Sequence, residues 1–136
     1  MNVKSIDHIH VYSADPAASV AFFCQHFGAE KLFDTKNAHH QDVNILKVGG
    51  QGIAFSANPP GMTPKASTLT EAEARDGVAA AAGIMHLGFH VEDVAVAVRE
   101  LREAGVAVHS DPDEAYGTTF AYVSTPDGIL VELTQY

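Results

Sequence analysis

The sequence repeats itself once, and that repeat limits the possible folds more than any other feature. "DHIHVYSADPAASVAFFCQHFGAEKLF" and "MHLGFHVEDVAVAVRELREAGVAVHS" share one order of elements. Each has an alternating strand with a histidine near its start, then an aspartate, an apolar helix, a glycine and another strand. His8 and His86 stand 78 residues apart, as do Asp15 and Asp93, while Gly28 and Gly105 stand 77 apart. A chain of 136 residues has room for one domain with one modest core. The expectation is therefore a single domain, 1–136, made of two modules, 5–58 and 84–136.

The element ends are legible. In the first copy Asp15 is placed to cap a helix, Pro16 suits the first helical position because its missing N–H costs nothing there, and Gly28 suits the left-handed terminus. Asp93 and Gly105 do the same in the second copy. Strands are expected at 6–12, 31–34, 43–48 and 53–57, and again at 84–91, 107–110, 119–124 and 129–134, with a turn at 125–128. Between the modules, 59–83 reads as a linker. Thr70 and Glu73 there resemble a capping box opening a short Ala-rich helix. The fold class is α+β: βαβββ, linker, βαβββ.

Strand parity then selects the chemistry. Residues two apart in a strand share a face. His8, His10 and Tyr12 lie opposite Ile9 and Val11. His86, Gly88 and His90 lie opposite Met85, Leu87, Phe89 and Val91. In the last strand, Glu132 and Thr134 lie opposite Ile129, Val131 and Leu133. The apolar faces pack on the helices. A cupped mixed sheet built from both modules would turn the other faces into one cleft and gather His8, His86 and Glu132 in it. Two neutral imidazoles and a carboxylate on one side of a divalent metal leave positions open for substrate, a donor set suited to Fe and tolerant of Mn, Co, Ni or Zn. Glu132, apolar on both sides in "ILVELTQY", also needs a partner for its charge. His10 shares the face of His8 and is placed to orient substrate or to carry a proton near neutral pH. His90 reads as cleft wall, His39 and His40 as an exposed loop, and Cys24, His26 and His109 as structural.

Charge excludes some partners. The formal net charge is −9, with only 8 lysines and arginines. That argues against nucleic acid, anionic membrane surfaces and polyanionic substrates, and favours a small neutral or mono-anionic oxygenated molecule. The single cysteine excludes an intrachain disulfide framework. No apolar run approaches membrane length and "MNVKSIDH" carries no signal-peptide core, so the cytoplasm is expected.

Three stretches, "DHIHVYSADPAASVAFF", "MHLGFHVEDVAVAV" and "TPDGILVELTQY", resemble the vicinal oxygen chelate superfamily. That group contains glyoxalase I, methylmalonyl-CoA epimerase, extradiol dioxygenases and the fosfomycin- and bleomycin-resistance proteins. The resemblance covers nearly the whole chain and implies a glyoxalase-like fold. It also implies a divalent metal on His8, His86 and Glu132, the same three residues that parity selects. Family members often take a fourth ligand from the last strand of the first half. Here the residues facing the cleft on that strand are Ala54 and Ser56, neither a normal ligand, which argues against glyoxalase I. The epimerase would want a carboxylate where Asn44 aligns on the cleft wall. Fosfomycin-modifying enzymes share the three ligands but continue into a basic tail, whereas this sequence stops at Tyr136. Extradiol dioxygenases carry a tyrosine at the position of Tyr122, which would donate a hydrogen bond to substrate or a bound oxyanion; their acid–base histidine has only a loose match in His40. The resemblance thus implies a metal-dependent lyase or isomerase first, a small Fe(II) dioxygenase second, and a non-catalytic drug- or metabolite-binding protein third. It further implies a homodimer, with sites possible between chains.

Overall fold

A computed structural model describes residues 2–61, 84 and 86–136 of the chain. The chain divides into two compact units, Met1–Lys65 and Ala66–Tyr136. The helix expected from Thr70 and Glu73 lies outside the described residues. Among the described residues, no helix is long and apolar enough to cross a membrane.

The first unit runs β1 (His8–Ser13), α1 (Pro16–Phe27), β2 (Glu30–Lys36), β3 (Asp42–Val48) and β4 (Gln51–Ala57). Its four strands are ordered β1-β4-β3-β2, with β1 parallel to β4 and the remaining pairs antiparallel. Asp15 caps α1 by accepting the Ala18 N–H at 3.1 Å, and Pro16 opens the helix. Gly28 ends it in the left-handed conformation at φ 62°. The β3–β4 hairpin turns on Gly49 and Gly50, whose φ angles of 54° and 86° only glycine adopts without strain. Phe23 of α1 is fully buried against Phe55 of β4, ring centroids 5.0 Å apart, with Leu46 and Ile53 beside them.

The second unit runs β5 (Leu87–His90), α2 (Val94–Glu103), β6 (Ala107–Val108), β7 (Asp113–Ala115), β8 (Thr118–Ser124) and β9 (Leu130–Gln135). The strand order β5-β9-β8-β6 repeats that of the first unit, with β5 parallel to β9 and β7 added on β8. Asp93 caps α2 through the Val96 N–H at 2.9 Å. Val94, Val98 and Leu101 of α2 are buried with Ala121, Val123, Val131 and Leu133 of the sheet. Thr125 accepts the Gly128 N–H at 2.9 Å and closes the expected 125–128 turn.

Two details depart from the sequence reading. The hydrogen-bonded strands form two sheets, one per module, rather than one. The β7–β8 hairpin was not expected, because "DPDEAYGTT" is polar and lacks alternation. It is made by a turn at Tyr116 and Gly117, φ 53° and 80°. Gly117 is the residue such a turn favours; Tyr116 is not, so the usual Asn-Gly or Asp-Gly signal is missing.

Candidate metal centre

In each unit the candidate residues lie on one face of the sheet. In the second unit, β9 pairs with β5 and β8 so that Glu132 stands between Gly88 and Tyr122. His86 directly precedes β5 on the same alternation. The helix α2 covers the opposite face, which leaves Glu132, Tyr122 and His86 half-buried rather than sealed.

His86 Nε2 lies 3.2 Å from Glu132 Oε2. Tyr122 donates its hydroxyl to the other carboxylate oxygen, Oε1, at 3.0 Å. The His86 and Tyr122 rings meet edge-on at 5.8 Å. Partial burial, the hydrogen bond to Glu132 and the carboxylate's charge, in that order, push the Tyr122 hydroxyl up to about 12. The tyrosine therefore holds its proton and stays a donor across the ordinary pH range. His86 Nδ1 is buried and has no partner among the described residues.

The donor set fits a divalent cation. Two ligand atoms at right angles on a metal, each about 2.1 Å from it, stand about 3 Å apart. The 3.2 Å between His86 Nε2 and Glu132 Oε2 needs almost no movement to match this. Tyr122 occupies the carboxylate oxygen turned away from His86, which leaves the other oxygen directed at the imidazole. The Tyr122 hydroxyl is thus engaged with Glu132 and positions that carboxylate.

In the first unit, His8, His10 and Tyr12 of β1 share a face with Ala54 and Ser56 of β4, since His10 pairs with Ala54 and Tyr12 with Ser56. His8 Nδ1 bonds Asp7 Oδ2 at 2.7 Å, which leaves Nε2 free to ligate. His10 Nε2 bonds Ser56 Oγ at 2.8 Å, and Ser56 is fully buried. Desolvation first, then the neighbouring His8, lower the pKa of His10 below 6.5, so it is neutral at pH 7.

Asn44 does not join this face. It pairs with Phe55, and Phe55 packs on Phe23 of α1. The wall position falls to Ile45, which pairs with Ala54. His90 shares the face of Glu132 and stacks on Tyr136 at 4.4 Å. Within each unit, among the described residues, no three His, Cys, Asp or Glu side chains gather to hold a metal. The second unit brings together His86 and Glu132. One residue was missed: His109 stands on the face of Tyr122 and Glu132, hydrogen-bonded to Ser124. The alternation of Val106 and Val108 with Ala107 and His109 was the signal that could have found it.

The chain belongs to the Glyoxalase/Bleomycin resistance protein/Dioxygenase superfamily, whose pattern it matches over residues 5–133. It is 30% identical over 139 residues to the Bacillus subtilis protein YwkD, covering 98% of each chain. Its fold is similar to that of a glyoxalase family protein from Enterococcus faecalis, with TM-score 0.71, 22% identity, and 96% and 97% of the two chains covered. It is also similar to a single-residue variant of FosX, a fosfomycin resistance protein from Listeria monocytogenes solved with Mn(II) and 1S,2S-dihydroxypropylphosphonic acid. There the TM-score is 0.67 at 15% identity, with 97% of this chain and 92% of that one covered.

Proposed function

We propose that this protein is a metal-dependent lyase or isomerase acting on a small substrate that presents two neighbouring oxygens to the metal. The observation that carries this reading is the convergence of His86 Nε2 and Glu132 Oε2 at 3.2 Å, with Tyr122 on the other carboxylate oxygen. These two residues hold the metal, one of Fe, Mn, Co, Ni or Zn. His8 is the third ligand, supplied by the same chain or by a second copy in a homodimer. The Mn(II) in the FosX relative supports a divalent ion. Such an ion supplies Lewis acidity toward the substrate's two oxygens.

The chain's own residues do the rest. Tyr122 keeps its proton and fixes the Glu132 carboxylate. Ser56, buried, holds His10 by Nε2. Nδ1 of His10 is then the atom left to take a proton from substrate or return one, and a neutral imidazole at pH 7 is ready to accept. The cytoplasm, with its reduced thiols, suits the unpaired Cys24. A second reading, a small Fe(II) extradiol-type dioxygenase, rests on Tyr122 standing beside the metal carboxylate.

The test is elemental analysis of protein purified without added metal or chelator, together with His8→Ala, His86→Ala and Glu132→Ala. The expected result is about one transition metal per chain in the wild type and none in the three variants. Iron directs assays to catechols; Mn, Co, Ni or Zn directs them to lyase and isomerase reactions. No metal in the wild type, before or after incubation with these ions, leaves a binding protein and overturns the enzyme.

A further inference from the structure

The metal-bearing face of the second sheet continues past Tyr122. Ser124 follows on β8, facing the same way. Across from it, β6 pairs Ala107 with Ser124 and Val108 with Val123, and the His109 N–H extends the ladder by donating to the Tyr122 carbonyl at 2.8 Å. His109 therefore stands level with Tyr122 and on its face. Its Nε2 is hydrogen-bonded to Ser124 Oγ, and both residues are half-buried. They bond each other, while the two oxygens of Glu132 are met by His86 and Tyr122.

A hydroxyl held by an imidazole is chemically adaptable. When Nε2 carries the proton, Ser124 turns its O–H outward as a donor; when Nε2 accepts, Ser124 offers a lone pair. Such a pair suits an oxygen group on a ligand. Its distance from the metal pair sets the ligand's length. Ser124 lies one strand and two residues from Glu132, and two strands from His86, or about 8–10 Å along the sheet. Subtracting about 2 Å for a metal–oxygen bond and about 3 Å for a hydrogen bond leaves about 3–5 Å of substrate. That is three or four carbons.

We infer that Ser124 and His109 form a distal subsite that reads an oxygen group on the substrate three or four carbons from its metal-chelating oxygens. The subsite rests on the metal reading proposed above and narrows it: the substrate is oxygenated at both ends. Ser124 and His109 determine specificity and do not touch the reacting atoms.

Three 2-hydroxy acids of equal chain length test this. 2-Hydroxyglutarate, 2,5-dihydroxypentanoate and 2-hydroxypentanoate share the chelating pair and differ only at the far end: carboxylate, hydroxyl and methyl. Calorimetry on the Mn(II)-loaded protein is expected to show one or both oxygen-ended acids binding about 5-fold tighter than the methyl-ended one, the size of one net hydrogen bond. The carboxylate and hydroxyl arms identify which oxygen group is preferred. Ser124→Ala and His109→Gln should each reduce the advantage below about 2-fold while leaving Mn(II) content and 2-hydroxypentanoate affinity unchanged. Ser124→Thr, which keeps the hydroxyl, should retain the advantage. A wild type that takes up Mn(II) but shows no end-group preference, or a preference that survives in Ser124→Ala, overturns the subsite alone. A wild type that takes up no Mn(II) overturns the metal reading and the subsite together.

Discussion

The two units are the same backbone carrying different chemistry. His10 pairs with Ala54 as Gly88 pairs with Glu132, and Ala54 and Glu132 are 78 residues apart, the offset that relates His8 to His86. On the neighbouring strands, Ile45 faces Ala54 as Tyr122 faces Glu132. The second unit therefore has a histidine, a carboxylate and a tyrosine to orient it where the first has a histidine, an alanine and an isoleucine. The first unit has His10, held by Ser56, where the second has Gly88. A side chain at Gly88 would meet nothing within 4 Å, so packing does not demand that glycine. Gly52 differs: a Cβ there would lie 2.9 Å from the Asp7 carbonyl, because β1 passes so close. The duplicated scaffold thus carries a histidine–carboxylate pair in one copy and a serine-held histidine in the other.

The cores differ in the same way, and that gives the largest expected effect. The first unit centres on Phe23, whose ring meets Phe55, Phe22 and Phe27, and the second on aliphatic side chains spread along α2. Phe23→Ala should cost about 3–5 kcal/mol in urea unfolding, against about 2–5 for Leu101→Ala. An equal, small cost for both would break the contrast. At the centre, Tyr122→Phe keeps the ring and removes the donor to Glu132. It should weaken metal affinity by about 10–100-fold, read by competition with a chelator. Unchanged affinity would mean that Glu132 is held by something other than this hydrogen bond.

Where the copies agree, matched effects are expected. Asp15→Ala and Asp93→Ala each remove one side-chain cap from one helix, so each should lower stability by about 1 kcal/mol. A large inequality would show that one cap does more than satisfy the Ala18 or Val96 N–H. The smallest effect is on His10. Its pKa is lowered by burial and by His8, so an NMR titration of metal-free protein should place its midpoint below 6.5. The sign follows: the unfolded chain binds this proton more readily, so the site favours folding above pH 6.5 and loses that contribution as pH falls. A midpoint at or above 6.5 would mean that burial and the neighbouring His8 do not disfavour the charged ring.

The sequence by itself determined what is local. Both caps, the Gly28 and Gly105 stops and the 125–128 turn depend on residues within a few positions of one another, so they could be read directly. The alternation that places His8 with His10, and Glu132 opposite Val131, is equally local. Parity, with a cupped sheet made of both modules, then grouped His8, His86 and Glu132 as an expectation. Only the tertiary structure decided which strand lies beside which, and in what register. Register matters because side chains alternate with period two, so a shift of one residue changes the face. That shift moved Asn44 to the helix side and gave its wall position to Ile45. It also decided where Tyr122 points and brought His109 onto the face of Glu132. Those placements depend on hydrogen bonds between strands distant in the chain, and no local pattern carries that information.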